Sequence, residues 1–377
     1  MQKVRIPLSA PDVDENDIAA VTAVLRTSQL SLGPQLAAFE SEFAANIGTQ
    51  HAVAVNSGTS GLQLCLRAIG IQPGDEVLVP SYTFIAAANV IRLEHALPVF
   101  VDVDAGSLNM DPERARAAIT PKTRAMMIVH TFGRPAALDQ LMAVAEERGL
   151  RVIEDACEAI GADFRGRRVG SFGDAGVFAF YPNKQITTGE GGMIVTNDLA
   201  IARRVRSLRN QGRTDSGDWL DHAEPGFNYR LSEMNCALGR SQLCRIEEIL
   251  EQRAQVAAWY DEYLRDEPHV IVPELRIPEG RASWFVYVVR LSDAFRREER
   301  DRVVERMMER GIACGRYFPP IHQQPAYSGW TLRQALPVTE SVGGRCVALP
   351  FFNRLTKSQV QEVSETLLAV IRDVKDE

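Results

Sequence analysis

The sequence predicts an α/β fold: a large domain over residues 1–250 with a mostly parallel sheet covered by helices, then a smaller C-terminal α+β domain over 251–377. Three observations predict it. Short apolar runs alternate with segments of helical period through residue 196. The pattern changes near residue 232, where a long helical stretch begins. Small and polar residues gather where the apolar runs end, and such sheets bind ligands at the carboxyl ends of their strands.

The elements follow in order. Leu36, Phe39, Phe43 and Ile47 are spaced for one helical face. H-A-V-A-V (51–55) is a short strand, N-S-G-T-S-G a turn, and L-Q-L-C-L-R-A-I a helix. E-V-L-V-P (76–80) is a strand and T-F-I-A-A-A-N-V-I-R-L (83–93) a helix. P-V-F-V-D-V (98–103) and M-M-I-V-H (126–130) are strands, and 137–149 is an amphipathic helix. R-V-I-E-D-A (151–156) is a strand ending in acid, and V-F-A-F-Y (177–181) and M-I-V-T (193–196) are two more. The helical segment from 232 is expected to reach about 265 and to cross the domain boundary without a flexible tether. W-F-V-Y-V-V-R-L (284–291) alternates as a strand, and helices near 296–310 and 357–375 complete the small domain.

Composition narrows the function. The 377 residues are 45% hydrophobic and 24% charged, the balance of an ordinary globular protein. A net charge of -7 argues against nucleic acid or an anionic membrane as the main partner. No stretch approaches the roughly 20 apolar residues of a membrane helix. The N-terminal M-Q-K-V-R-I-P-L-S-A-P-D lacks a signal peptide's hydrophobic core, so a cytoplasmic location is expected. Cysteines 65, 157, 236, 244, 314 and 346 form no C-x-x-C and suggest buried, reduced thiols. The six histidines form no H-E-x-x-H, and no metal is expected.

Four features carry chemistry. N-S-G-T-S-G (56–61) joins a strand to a helix, where Gly58 lets the backbone approach a ligand and the free amides suit an anion. Thr59 and Ser60 add hydroxyls, although turns of this kind are common without phosphate. Asp155 ends a buried strand and needs a cation or hydrogen-bond donors, from a salt bridge or from a protonated cofactor nitrogen. Phe84 either packs in the core or stacks on a flat ring. Lys184, in Y-P-N-K-Q-I-T-T-G-E-G-G (181–192), is a solvated loop lysine, a phosphate clamp or a covalent attachment point. Together these four supply what pyridoxal phosphate requires: a phosphate cup, an anion for its ring nitrogen, a stacking surface and an amine for its aldehyde.

Several segments also carry a family resemblance: S-Q-L-S-L-G-P (28–34), N-S-G-T-S-G-L (56–62), P-S-Y-T-F-I-A-A-A-N (80–89), V-I-E-D-A-C-E-A-I-G-A (152–162), F-G-D-A-G-V-F-A-F-Y-P-N-K (172–184), R-N-Q-G-R (209–213), G-F-N-Y-R-L-S-E (226–233) and Y-F-P-P-I-H-Q-Q-P (317–325). Over nearly its whole length the chain resembles the DegT/DnrJ/EryC1/StrS nucleotide-sugar aminotransferases, which have the aspartate-aminotransferase-like fold type I of pyridoxal-phosphate-dependent transferases. The resemblance implies that Lys184 bonds the cofactor, Asp155 pairs with its ring nitrogen, Phe84 stacks on it, and Gly58, Thr59 and Ser60 hold its phosphate. Asn228 would cross a homodimer interface to the partner's cofactor phosphate, and Arg230 would help build that interface or be a structural arginine at a helix start. Ser31, Gly33, Tyr82, Glu190 and Arg230 are expected on the substrate side, and His322 is either a substrate contact from the small domain or a packed loop histidine.

Two positions depart from the family pattern. Ala179 stands where a phosphate-binding serine is frequent. Glu158 stands where Gln or His is common, beside the cofactor's phenolic oxygen, and is therefore either protonated or turned away. T-T-G-E-G-G (187–192), R-N-Q-G-R and Y-F-P-P-I-H-Q-Q-P are most similar to perosamine-synthase-like members. That implies transfer of the amino group of L-glutamate to C4 of GDP-4-keto-6-deoxymannose. Alternatives are amination of a UDP- or dTDP-linked 3- or 4-keto sugar, a sugar dehydratase, or a non-catalytic regulatory protein. Lys184 weighs against the dehydratase branch, which carries histidine at that position.

Overall fold

Burial on both faces makes a strand largely apolar, and the strands Glu76–Pro80 and Gly192–Thr196 are buried along their whole length. The computed structural model describes residues 4–214, 220–277 and 279–377. The first three residues of the polar N-terminal stretch lie outside the described residues. In chain order the strands of the large region are β1 (His51–Val55), β2 (Glu76–Pro80), β3 (Leu97–Val101), β4 (Thr123–Val129) and β5 (Arg151–Asp155), the short β6 (Asp163–Phe164) and β7 (Arg167–Arg168), then β8 (Ala175–Ala179) and β9 (Gly192–Thr196). Seven of them form one sheet in the order β1-β9-β8-β5-β4-β2-β3. The pairs β2·β3, β2·β4, β4·β5 and β5·β8 are parallel. β9 runs antiparallel to β8 and to β1, because β8 and β9 are joined by a loop and not by a helical crossover. β1 therefore runs with β8, and six strands deliver their carboxyl ends to one edge of the sheet.

Helices cover both faces. They are α1 (Glu15–Leu25), α2 (Pro34–Ile47), α3 (Gly58–Ala68), α4 (Ala86–Leu93), α5 (Pro112–Ala118), α6 (Leu138–Arg148) and α7 (Leu199–Arg209). One apolar layer joins Phe39, Phe43, Leu141 and Phe178. The other joins Leu62, Leu64, Val90, Ile194 and Val205. α4 starts three residues later than its apolar pattern predicts, because Thr83 and Phe84 belong to the turn after β2.

The helical segment from 232 is two helices, α8 (Glu233–Cys244) and α9 (Ile246–Leu264). Arg245 breaks it at φ -111, ψ 22, and its guanidinium meets Asp12, Asp14 and Asp17. α9 carries the chain into a second core with β10 (Val270–Ile271), β11 (Gly280–Arg281), β12 (Tyr287–Leu291), α10 (Arg297–Glu309), α11 (Pro337–Gly343), β13 (Cys346–Leu349) and α12 (Lys357–Lys375). β10, β12 and β13 form an antiparallel sheet, while β11 pairs with β6 of the large region. Tyr260, Tyr287, Val303 and Leu367 fill the second core, which also takes in Ile6 from the N-terminal segment. The division near residue 250 stays our proposed boundary. Among the described residues no helix is long and apolar enough to cross a membrane. All six cysteines are free; Cys65, Cys236 and Cys346 are buried, whereas Cys244 is exposed, contrary to expectation, because it lies on the outer side of the last turn of α8.

Candidate active site

The carboxyl edge of the sheet opens into a cavity of about 610 Å³. Ser57 makes the turn out of β1 and caps α3, accepting the Ser60 N–H at 3.1 Å. This leaves the first amides of α3, at Gly58 and Thr59, on the cavity wall. Gly58 has no substitute, since a Cβ there would lie 2.7 Å from Cys157 Sγ and 2.8 Å from Ala179 Cβ. Ala179 thus forms part of the wall and contributes no hydroxyl. Ser57, which the sequence analysis did not select, lines the cavity, whereas the predicted Ser60 is buried behind it with its hydroxyl 2.9 Å from that of Ser57.

Asp155 closes β5 at the cavity floor. Its Oδ1 accepts the Cys157 N–H at 3.1 Å. Burial pushes its carboxyl above the ordinary range, against the pull of Cys157, Lys184 and His130. Glu158, one turn on, faces the cavity. Its Oε1 lies 3.6 Å from Lys184 Nζ, and its Oε2 accepts the Phe132 N–H at 2.9 Å. Phe132 takes the left-handed backbone, φ 56, that aims this N–H at the carboxylate. Burial raises the Glu158 carboxyl as well, opposed first by Lys184, while Asp155 adds to the rise. Of the two expectations for Glu158, turning away is excluded.

Lys184 sits in the loop between β8 and β9. Its side chain is only 12% exposed, which rules out the solvated-loop reading. Its Nζ lies 3.8 Å from the centroid of the ring of Phe285, which lies between β11 and β12. Phe84 also lines the cavity and is 59% exposed, an uncovered flat ring beside it. Glu190 completes the set of predicted residues that the fold brings together.

The other predicted residues lie elsewhere in this chain. Gly33 and Ser31 precede α2; Glu233 accepts the Gly33 N–H at 2.9 Å, and Ser31 bridges to Ser232. Tyr82 is fully buried and donates its hydroxyl to the Tyr317 carbonyl at 2.6 Å, so it presents nothing to the cavity. His322 has Nδ1 2.7 Å from Ser81 Oγ and Nε2 3.2 Å from Glu340 Oε1, the packed-loop arrangement. Arg230 donates to Asn210 and Gln211, and Asn228 is exposed beside them. Unanticipated lining comes from Asn183, Phe285, Arg316 and Tyr317. Asn183 and Tyr317 lie inside two of the segments that carry the resemblance and Arg316 borders one, which was their only signal; Phe285 carried none. Among the described residues no cluster of three or more His, Cys, Asp or Glu could hold a metal ion.

A cavity-facing lysine and a buried acid at the carboxyl edge of this sheet, opposite an anion-binding helix N-terminus, define a pyridoxal-phosphate-dependent transferase of fold type I. The residues fit that cofactor: a buried carboxylate with one backbone donor has room for a cationic ring nitrogen, and the first residues of α3, Gly58 and Thr59, line the cavity. The chain belongs to the DegT/DnrJ/EryC1/StrS aminotransferase family, which matches residues 11–368. It is 39% identical over 375 residues to "GDP-perosamine synthase" of Caulobacter vibrioides, covering 97% of this chain and 98% of that one. It is 35% identical to "Spore coat polysaccharide biosynthesis protein SpsC" of Bacillus subtilis, covering 97% of each. Among solved structures it is similar to the "Putative sugar aminotransferase Spr1654 from Streptococcus pneumoniae, PLP-form", with TM-score 0.93, 27% identity, and 98% and 99% of the two chains covered. The protein is a pyridoxal-phosphate-dependent sugar aminotransferase.

Proposed function

We propose that this enzyme transfers the amino group of L-glutamate to C4 of a nucleotide-linked 4-keto-6-deoxy sugar, GDP-4-keto-6-deoxymannose, making GDP-perosamine. The observation that carries the reaction is the meeting of Lys184, Asp155 and the N-terminus of α3 in one cavity. The choice of sugar rests on the 39% identity to the Caulobacter vibrioides protein of that name.

Each residue has a task. The Gly58 and Thr59 amides, with Ser57 and Thr59 hydroxyls, would bind the cofactor phosphate in place of the serine missing at Ala179. Asp155 would keep the proton on the ring nitrogen, which relieves its own buried charge. Phe84 would lie against the ring face. Bound pyridoxal phosphate supplies the carbonyl that receives the amine and the sink for the electrons left at Cα. Lys184 Nζ would take the proton from Cα of glutamate and later return one to C4 of the sugar. Glu158 would hold a proton beside the ring's phenolic oxygen, the state its raised value favours.

Asn228 and Arg230 support a homodimer with shared sites: neither lines its own chain's cavity, and Asn228 is exposed, as a residue reaching a partner must be. A cytoplasmic location agrees with a nucleotide-linked substrate. The test is a mass-spectrometric product screen with L-glutamate and GDP-, UDP- and dTDP-linked keto sugars. Amination of the GDP-linked 4-keto-6-deoxymannose alone is expected. Amination of only a UDP or dTDP sugar would overturn the substrate and keep the enzyme class.

A further inference from the structure

Lys184 leans on Phe285, from the segment just before β12, and that residue is held by a buried charge. Arg253, in α9, is only 2% exposed. Its guanidinium donates to the Trp284 carbonyl at 2.7 Å, the Phe285 carbonyl at 2.9 Å, Asn353 Oδ1 at 2.6 Å and, weakly, the Asn183 carbonyl at 3.4 Å. The Phe351 ring lies 5.2 Å from its Cζ. No carboxylate touches it among the described residues; Asp12 lies beyond Asn353, whose Nδ2 donates to Asp12 at 3.2 Å, and its charge only partly offsets the burial. Burial accordingly pulls the guanidinium down to about 10. An unpaired buried charge is a poor source of stability. What it does supply is one rigid fork that fixes three segments at once, which a lysine or an apolar side chain cannot do.

We propose that Arg253 is a positioning residue for Lys184, fixing across the two cores the Phe285 ring and the Asn183–Lys184 turn between which the amine is held. The proposal rests on the reading of Lys184 as the reacting amine. Arg253 touches no reacting atom; it acts through Phe285, whose ring meets Nζ, and through Asn183, the preceding residue. The arrangement also ties the geometry of the amine to the seating of the second core on the sheet.

The test uses the full chain carrying Arg253→Met, Arg253→Lys or Phe285→Leu. Unfolding midpoint, KM for glutamate, the rate constant of the glutamate half-reaction, and the rate at which added pyridoxal phosphate develops its lysine-bound visible band in stripped protein are measured. Arg253→Met is expected to lower the half-reaction rate constant about 10- to 100-fold and to slow band formation, with KM changed less than about threefold. Arg253→Lys should recover part of both rates. Phe285→Leu keeps the carbonyl that Arg253 holds and should lower the rate constant with little loss of stability. Folded variants with wild-type rate constants would overturn the proposal, and if Arg253→Met does not fold, wild-type rates in the other two overturn it. Lys184→Ala is the control: a visible lysine-bound band in that variant would sink the reading of Lys184 itself, separately from the role of Arg253.

Discussion

The floor and the rim of the cavity are built differently. The floor consists of single residues at or just beyond strand ends: Asp155 at the end of β5, Gly58 after the turn out of β1, Lys184 in the loop from β8 to β9. Their positions follow from local sequence, since a parallel strand delivers its last residue to one edge wherever the rest of the chain goes. The rim joins distant segments, with Phe285, Arg316 and Tyr317 arriving from the part of the chain beyond α9. The comparison teaches that the residues expected to hold the cofactor sit on rigid elements, while the rim depends on how the segments beyond α9 meet the sheet.

Lys184→Ala should break the floor most severely. A loss near 10⁴-fold in amino transfer is expected, the upper end of what a general acid–base group contributes, with the thermal midpoint hardly moved. Near-wild-type turnover would remove Lys184 from the reaction. Next is Asp155→Asn, for which a fall of about 10²–10³-fold in kcat is expected, as for loss of a preorganised charge.

Asp155→Asn also has a pH signature. Burial raises the folded-state value of Asp155 above its unfolded one. Between the two the folded state holds more protons, so its contribution to stability falls as pH rises through that window. In cofactor-free protein the variant's midpoint should therefore gain on wild type as pH climbs from about 4 towards neutrality. A difference independent of pH would mean that Asp155 is not desolvated.

Glu158→Gln sharpens the floor more gently. It keeps an acceptor for the Phe132 N–H and removes a second carboxylate beside Asp155. About a tenfold loss in kcat is expected if Glu158 carries a proton in the reaction, measured with saturating glutamate and sugar. An unchanged kcat would make it a spacer.

The smallest effect tests the rim. Tyr82→Phe should cost about 1 kcal/mol in stability, through the bond to the Tyr317 carbonyl, and leave the sugar KM unchanged. A KM raised several-fold at constant stability would return Tyr82 to the substrate side.

The same contrast explains what could be read in advance. The sheet, most covering helices and the floor residues were legible because period and strand-end chemistry are local. Ser60 was misplaced because a hydroxyl on the third residue of a helix points back to its cap, here Ser57. Tyr82 was misplaced because a hydrogen bond across 235 residues buries it, and a bond across 241 residues decides for the packed-loop alternative at His322. Phe285 carried no signal, since one aromatic in an alternating strand looks like any core residue. The break at Arg245 was invisible for a related reason: helical period continues through it, and three aspartates near the N-terminus decide the turn.

The most direct test of the central claim is the glutamate half-reaction. Protein loaded with pyridoxal phosphate is mixed with L-glutamate in the absence of any sugar, and visible absorbance and 2-oxoglutarate are followed together. Loss of the lysine-bound band with stoichiometric 2-oxoglutarate, abolished in Lys184→Ala, is the predicted result. An unchanged band with no 2-oxoglutarate would contradict it.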